Sequence, residues 1–179
     1  MKQNRTLSLI LPAFGAAIIA ALAQLTIPIG AVPITLQTFA VGLVAAILKP
    51  REATLAATLY LILGAIGLPV FAGGGGGLQA FFGPSAGYLL AYPFFALVTS
   101  ALAHAKTPIW KIFLAFVLGD ALVFVGGILS LHFLGKMGWS AAVAVGLTPF
   151  IIPDLLKGLI VALVTKPVLK ALKNHSYFN

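Results

Sequence analysis

Residues 6–48 read TLSLILPAFGAAIIAALAQLTIPIGAVPITLQTFAVGLVAAIL, a stretch without a single charged side chain. About 20 apolar residues of helix cross a bilayer core that is about 30 Å thick, so this stretch is too long for one crossing. Residue types that end helices interrupt it near the middle, at Pro28, Gly30 and Pro33. We therefore predict two helices, over residues 6–26 and 35–48, joined by an irregular apolar segment.

Four more apolar runs follow the same pattern. They predict helices over residues 53–66, 84–103, 109–134 and 139–165, and the last of these is predicted to kink near Pro149 and Pro153. The chain is 61% hydrophobic and 8% charged, whereas about 25% of the residues in a soluble domain are charged. The sequence therefore predicts a single all-α integral membrane domain over residues 1–179, a bundle of six transmembrane helices.

The net charge of +8 comes from basic residues that lie mostly in the short breaks between apolar runs. In a layout of six helices, nine of the eleven Lys and Arg residues fall on one side of the membrane: Lys2, Arg5, Lys49, Arg51, Lys106, Lys111, Lys166, Lys170 and Lys173. Because cytoplasmic loops are enriched in Lys and Arg, we expect both termini in the cytoplasm. This scattered distribution also argues against nucleic-acid binding. The apolar run after Arg5 is interpreted as a first membrane span and not as a signal peptide.

Five consecutive glycines, Gly73–Gly77, follow the third predicted helix. Each glycine costs a helix about 1 kcal/mol relative to alanine, so this segment is predicted to be an outer loop. Its flanks are apolar, and irregular backbone at membrane depth is tolerated only where it lines a cavity or is buried in protein. Aromatic residues surround it: Phe71, Phe81, Phe82, Tyr88 and Tyr92. The segment predicts a lid over an apolar pocket; for each single aromatic residue, the alternative is an anchor at the membrane interface.

Two opposite charges, Asp154 and Lys157, lie three residues apart in the sixth predicted helix. Residues at this spacing share a helix face, and a charge at mid-bilayer costs about 2.5–3.5 kcal/mol on insertion scales. The pair is therefore either a structural ion pair or the polar floor of a site for a small ligand with donor and acceptor groups. Further polar groups occur beside the glycines and at the start of the second helix: Gln79, Thr35, Gln37 and Thr38.

Small residues recur every four positions along the first predicted helix, in two registers. The registers are Ala13, Ala17 and Ala21, and Ala16 and Ala20. Such spacing lets a second helix approach closely. The helix is predicted either to pack within its own bundle or to dock a second membrane subunit.

The motifs of several enzyme classes are missing from the sequence. No phosphate-binding Gly-Lys-Ser/Thr follows the glycines, and no serine stands in a Gly-x-Ser-x-Gly turn. The chain has no cysteine, and His104 and His132 show no metal-ligand spacing with each other or with the carboxylates. We expect neither an enzyme nor a metal or cofactor site.

Four segments of the chain together resemble the BioY family: residues 33–39 (PITLQTF), 63–74 (LGAIGLPVFAGG), 83–89 (GPSAGYL) and 153–158 (PDLLKG). They occur in order over nearly the whole chain. That family comprises the biotin-specific substrate-binding (S) subunits of energy-coupling factor (ECF) transporters. The resemblance implies a high-affinity biotin-capture protein in a bacterial cell membrane. Its implied partners are a transmembrane coupling subunit and two ABC-type ATPase subunits.

The resemblance also implies where biotin binds, namely near the outer face, under the loops that follow the first and third helices. The expected ligand-binding residues are Asp154, Lys157, Gln79, Tyr88, Phe71, Gly73, Gly74, Leu78, Thr35 and Gln37. Asp154 could accept hydrogen bonds from the ureido N–H groups, and Lys157 could donate to the ureido oxygen or to the carboxylate. The alanine positions match the family's docking face. The run of five glycines is more uniform than the family pattern, in which serine often occurs.

A stand-alone facilitator or an ion-coupled carrier for a small vitamin is the alternative function. Asp120, near the middle of the fifth predicted helix, could then relay protons together with Asp154. Asp120 could equally pair with Lys157, hydrogen-bond a neighbouring helix or contact a ligand. A third possibility is an assembly subunit of another membrane complex, which would bind no ligand.

Overall fold

The structure is a computed structural model that describes residues 5–29, 32–104, 106–172 and 177. Lys2, Gly30 and Lys173, which were used in the predictions above, lie outside these residues. The described residues form seven α-helices: α1 (Arg5–Ala23), α2 (Gln37–Ile47), α3 (Pro50–Ala65), α4 (Ala86–Leu102), α5 (Ile109–Phe133), α6 (Trp139–Gly146) and α7 (Ile151–Leu172). Two short 3-10 turns, Ala72–Gly74 and Leu78–Phe81, lie between α3 and α4.

The connection between α1 and α2 contains a small antiparallel ladder that the sequence analysis did not predict. Strand β1 (Thr26–Ile27) pairs with β2 (Ile34–Thr35), with Thr26 opposite Thr35. These residues are β-branched, and such side chains favour extended backbone. The first helix therefore ends at Ala23 and not at residue 26, and the second begins at Gln37 and not at residue 35.

The predicted sixth helix, over residues 139–165, is bent near Pro149 as predicted, but it differs from the structure in two respects. It is two helices, α6 and α7, which are bent by 43° at the break between Gly146 and Ile151. Pro149 lies inside this break and has no N–H group to continue the helical ladder. The second helix also continues through Pro167 to Leu172, because a proline removes one helical hydrogen bond without necessarily ending the helix.

The other predicted helices differ from the structure only at their ends. The charged turn at Pro50 is the first turn of α3, with the proline at a helix start where its missing N–H is not needed. Helix α4 begins at Ala86, two residues after the expected start, and α5 ends at Phe133.

Aromatic rings fill the interior where α2, α4, α5 and α7 meet. Phe95 and Phe116 are fully buried and pack edge to face, with ring centroids 5.1 Å apart. Two glycines make room for these rings: a methyl group at Gly42 or at Gly158 would overlap the ring of Phe116. Elsewhere α4 and α5 approach so closely that a methyl group at Gly87 would overlap the carbonyl group of Gly126.

The outer surface of the bundle is apolar. Helix α5 exposes Leu118, Leu122, Val125 and Leu129. Within the described ranges, Thr6–Ala23 and Ile109–Phe133 are long and apolar enough to cross a membrane, and the bent pair α6–α7 counts as a third span. Helices α2 and α4 are apolar but shorter. An apolar surface of this extent requires a non-aqueous cover.

Candidate functional site

A cavity of about 390 Å³ lies where the starts of α2, α4 and α7 meet the glycine loop and the middle of α5. Sites for small molecules usually have about this volume and combine apolar walls with a few polar groups. This one, named here the Asp154 cavity, is lined by Val32, Pro33, Thr35, Gln37, Thr38, Phe71, Ala72, Gly75, Gly76, Gln79, Ala80, Ser85, Tyr88, Leu89, Tyr92, Val123, Phe124, Phe150, Asp154 and Lys157.

Three side chains form a closed triangle of hydrogen bonds at the wall of the cavity. Lys157 Nζ donates to Asp154 Oδ1 at 2.5 Å and to Thr38 Oγ1 at 3.0 Å. Thr38 Oγ1 in turn donates to Asp154 Oδ1 at 3.1 Å. All three residues are buried, with Asp154 only 4% exposed and Lys157 8% exposed. The two charges therefore offset each other's loss of hydration inside the protein.

The backbone positions this triangle. Asp154 lies in the first turn of α7, and its N–H donates to Phe150 O at 2.8 Å. Thr38 lies in the first turn of α2. The N-terminal ends of two helices thus point toward one carboxylate, and the partial positive charge of a helix N-terminus favours an anion there.

A second polar chain lies beside the triangle and is centred on Gln37. Gln37 Nε2 donates to Tyr60 Oη at 2.6 Å, and Gln37 Oε1 accepts from Thr35 Oγ1 at 3.0 Å. The N–H of Gln37 also donates to Thr35 Oγ1 at 3.1 Å. Both ends of the amide are held, so its orientation in the cavity wall is fixed.

Two aromatic side chains form opposite parts of the apolar wall, and each lies against a glycine. The ring of Phe71 lies on Gly64 and packs edge to face with Tyr60 and with Phe81, at centroid distances of 5.5 and 5.7 Å. The ring of Tyr88 lies on Gly127, and its hydroxyl donates to Gly146 O at 2.7 Å. A methyl group at either glycine would overlap the ring and force it to move.

The glycine loop borders the cavity through Gly75 and Gly76 and is held by its own backbone. Phe71 N–H donates to Gly75 O at 2.9 Å, and Gly77 N–H donates to Gly64 O at 2.7 Å. Gly73 and Gly74 adopt positive φ angles of 65° and 79°, a region that glycine occupies without steric penalty. Gln24 Nε2, just beyond α1, donates to Phe71 O at 3.4 Å. The loop is therefore attached to α3 and to the end of α1.

Comparisons with known proteins identify the family of the chain. The sequence matches the BioY family over residues 1–174. This chain belongs to the BioY family. The BioY chain is 43% identical to the biotin transporter BioY2 of Lactococcus lactis subsp. cremoris (strain MG1363), over 99% of each chain. It is 39% identical to the biotin transporter BioY of Thermotoga maritima, over 79% of this chain and 83% of that one.

A solved structure is also similar to this BioY chain. It is the crystal structure of the S-component for biotin from an ECF-type ABC transporter, with a TM-score of 0.88, 28% sequence identity and full coverage of both chains. The resemblance drawn from the four sequence segments is therefore confirmed. The relatives are named as transporters, and the apolar helices make the BioY chain a multi-pass membrane protein.

Seven of the ten residues predicted to bind ligand in the BioY chain line the Asp154 cavity: Thr35, Gln37, Phe71, Gln79, Tyr88, Asp154 and Lys157. Gly73, Gly74 and Leu78 are not among the lining residues, and Leu78 is 63% exposed. Gly75 and Gly76 face the cavity instead. The positive φ angles of Gly73 and Gly74 turn the loop and bring the following two glycines to the wall.

Three important lining residues were absent from that set: Thr38, Tyr92 and Phe150. Thr38 and Tyr92 stood out in the sequence as a polar and an aromatic residue near the site, but nothing local marked them as ligand contacts. Phe150 follows Pro149 in the break between α6 and α7. A kink beside a buried charge pair is the sequence signal that could have identified it.

Among the described residues, Lys157 forms its ion pair with Asp154 and not with Asp120. Asp120 is 4% exposed, and its Oδ1 has no hydrogen-bond partner among the described residues. It lines a side cavity of about 150 Å³ together with Asp154.

The two alanine registers of α1 face different surroundings. Ala13, Ala17 and Ala21 are exposed, whereas Ala16 is 1% exposed and packs in the core. Ala20 is half-buried. Helix α1 packs on α2 and α3, and Gly15 lies against Ala56 and Val44. The register of Ala16 thus packs within the bundle, and the other register remains on the surface.

Proposed function

We propose that this BioY chain captures biotin with high affinity and brings it into the cell as the substrate-binding subunit of an ECF-type importer. The observation that carries the proposal is the buried Asp154–Lys157–Thr38 triangle in the wall of a mostly apolar cavity of about 390 Å³. The similarity of the whole chain to a biotin S-component supports it. Binding requires no cofactor and no chemical step.

The cavity offers partners for the ureido ring and for the bicyclic body of biotin. The ureido ring carries two N–H donors and one carbonyl acceptor, and Asp154 and Lys157 supply one acceptor and one donor side by side. We assign the ureido ring to this pair, because a ligand with both group types can interact with both charges without separating them. The bicyclic body contacts the rings of Phe71, Tyr88 and Tyr92.

The proposed arrangement in the membrane has six crossings, with α6 and α7 together forming the sixth. The Asp154 cavity opens at the outer end of the bundle, and both termini are cytoplasmic in a bacterial plasma membrane. The charge distribution supports this orientation. The described Lys49, Arg51, Lys106 and Lys111 lie at helix ends remote from the cavity, and Lys and Arg mark cytoplasmic ends.

The proposed partners are a transmembrane coupling subunit and two ABC-type ATPase subunits. The BioY chain itself has no nucleotide-binding loop, so the energy for import comes from the ATPases. We propose that the exposed register Ala13, Ala17 and Ala21 docks the coupling subunit. Small side chains permit close approach of two helices in a membrane.

Titration calorimetry of the detergent-purified chain with biotin tests the binding site. We expect one-to-one binding by the wild type and weakening by at least about thirtyfold in Asp154→Asn and in Lys157→Met, since a lost partner leaves a buried charge unpaired. Lys170→Met is the matched control, because Lys170 is exposed on α7 outside the cavity. Unchanged affinity in both cavity variants, or no binding by folded wild type, contradicts the assignment.

Uptake of radiolabelled biotin into proteoliposomes distinguishes the importer from the stand-alone carrier. We expect ATP-dependent uptake only when the coupling and ATPase subunits are reconstituted with the BioY chain. Uptake by the BioY chain alone, driven by a proton gradient and abolished by Asp120→Asn, would favour the carrier. This second measurement follows from the buried Oδ1 of Asp120, which has no hydrogen-bond partner among the described residues.

A further inference from the structure

A second recess, named here the basic cleft, lies at the end of the bundle remote from the Asp154 cavity. Its volume is about 760 Å³, and its walls come from the ends of α2 and α4, the starts of α3 and α5, and the last part of α7. Helix α7 contributes Asp154 to one site and Leu169 to the other. At 1.5 Å per residue, the helix rises about 22 Å between these two residues. The two sites therefore lie near opposite faces of a bilayer.

The mouth of the cleft is strongly positive. It is lined by Lys49, Lys106, Lys111 and His104, and all four side chains are exposed. Among the residues that the structure describes, no acidic residue lines the cleft. The starts of α3 and α5 also border it, and neither has a side-chain cap on its N-terminal N–H groups. Both features favour an anion.

One carboxylate among the described residues lies beside the cleft, but its side chain is buried. Glu52, in the first turn of α3, is 1% exposed, and its Oε2 accepts a hydrogen bond from Tyr177 Oη at 3.2 Å. Burial raises the pKa of Tyr177, so its hydroxyl keeps its proton. Lys49 Nζ lies over the ring of the same tyrosine, 4.8 Å from the ring centroid.

The deeper walls of the cleft are apolar, with Ala46, Leu48, Ala103 and Leu169 buried there. Trp110, adjacent to Lys111, is 59% exposed, and Ile109 is 41% exposed. Exposed tryptophan at the end of an apolar helix is typical of the headgroup region of a bilayer. The cleft thus combines a basic mouth with apolar walls at the depth where lipid headgroups meet acyl chains. A soluble acidic protein segment would contact the basic mouth but would leave the apolar walls uncovered.

We propose that the basic cleft binds the headgroup of an anionic phospholipid, with the phosphate at the lysines and the upper acyl chain along the apolar walls. Basic pockets between transmembrane helices bind such headgroups in other membrane proteins. Lys106 is well placed for this contact, because the turn that carries it is closed by two hydrogen bonds of 2.9 Å between His104 and Thr107. A bound lipid holds the ends of α2 and α4 against the starts of α3 and α5.

Fluorescence quenching of Trp110 tests the proposal in the full chain. Trp139→Phe leaves Trp110 as the only tryptophan, since the chain has two. This protein is reconstituted in phosphatidylcholine vesicles that contain a small fraction of brominated phosphatidylglycerol or, in a parallel series, brominated phosphatidylcholine. We expect preferential quenching by the phosphatidylglycerol. The double variant Lys49→Gln/Lys106→Gln should lower the affinity for phosphatidylglycerol relative to phosphatidylcholine by about thirtyfold. Each lysine near an anionic headgroup contributes about fivefold to this relative affinity.

The matched control is Lys136→Gln/Lys170→Gln, which removes the same charge from two exposed residues outside the cleft. In this control, the affinity for phosphatidylglycerol relative to phosphatidylcholine should stay within about twofold of the wild-type value. Inorganic phosphate, added at ionic strength matched with sodium chloride, should not displace the lipid. The proposal is overturned if the cleft variant keeps the preference, if the control loses it equally, or if phosphate alone displaces the lipid and so identifies a free-anion site. Loss of co-purification with the coupling subunit at unchanged lipid preference would assign the cleft to a protein partner, and would likewise overturn it.

Discussion

The hydroxyl of Tyr88 on α4 donates a hydrogen bond to the carbonyl oxygen of Gly146, 2.7 Å away, at the last residue of α6. The bond fixes the start of the break that leads into α7. The ring of Tyr88 also forms part of the wall of the Asp154 cavity. One side chain therefore links the shape of the cavity to the position of the helix that carries the charged pair.

Tyr88→Phe should keep the ring on Gly127 and lose the hydrogen bond. Because Gly146 O is left without this donor, we expect a loss of about 1–3 kcal/mol in unfolding free energy and a moderate decrease in biotin affinity. Thermal unfolding in detergent and calorimetry measure the two effects. Tyr88→Ala is the comparison that also removes the ring, and its effect on affinity should be larger. Equal affinities in all three proteins would contradict a wall role for Tyr88.

Thr38→Val should separate the role of the hydroxyl from that of side-chain volume. The Thr38 hydroxyl donates to Asp154 and accepts from Lys157, and a hydrogen bond to a charged group contributes about 1.5–3 kcal/mol. We expect valine to lower the thermal midpoint and weaken biotin binding by about tenfold or more. Thr38→Ser keeps the hydroxyl and should bind nearly as the wild type does. If serine and valine behave alike, the hydroxyl has no role.

The double variant Asp154→Asn/Lys157→Met should be more stable than either single variant. Each single change leaves a buried charge without its partner, at a cost of about 3–5 kcal/mol, whereas the double change removes both charges. Thermal unfolding of the wild type, the two single variants and the double variant forms a complete double-mutant cycle. Biotin binding should stay lost in the double variant despite its recovered stability. Recovery of binding together with stability would show that the pair is structural only.

Gly64→Ala should destabilise the protein and weaken biotin binding. A methyl group there overlaps the ring of Phe71, which lines the cavity, and overpacking of a core typically costs about 1–3 kcal/mol. Gly138→Ala is the matched control, because a methyl group at Gly138 meets nothing within 4 Å and its φ of −61° suits alanine. Thermal unfolding and calorimetry on both variants suffice. A Gly64→Ala protein that matches the control would show that Phe71 can move freely.

Asp120→Asn should leave ATP-dependent import unchanged and should not lower the thermal midpoint. The carboxyl group is buried, and one of its oxygens has no hydrogen-bond partner among the described residues. An amide of the same shape avoids burying a charge. Uptake by the reconstituted importer and thermal unfolding give the two readouts. A lower midpoint would show that the carboxylate has a stabilising partner, and lost import would give it a role in transport.

The charged pair and the aromatic surroundings of the site could be predicted because local rules determine them. A spacing of three residues puts Asp154 and Lys157 on one helix face, whatever the rest of the fold does. The third member of the triangle, Thr38, could not be selected in the same way. Its contact with Asp154 spans 116 residues of sequence, and only the packing of α2 on α7 brings the two together.

The glycine run shows a second limit of sequence reasoning. Five identical residues carry no pattern that says which of them face the cavity, so Gly73 and Gly74 were selected although Gly75 and Gly76 line it. The break between α6 and α7 is an intermediate case. Pro149 predicted a bend at the right place, but how far α6 and α7 separate depends on contacts such as the one from Tyr88 to Gly146.

Gln24 is the residue through which the end of α1 contacts the glycine loop. Its amide nitrogen lies within hydrogen-bond distance of three carbonyl oxygens, at 3.1 Å from Ala20 O in α1 and at 3.4 Å from both Pro69 O and Phe71 O in the loop. One side chain therefore connects the end of α1, just beyond the exposed Ala13, Ala17 and Ala21, to the backbone that covers the cavity. A change in the position of this helix end would alter the contacts that hold the cover.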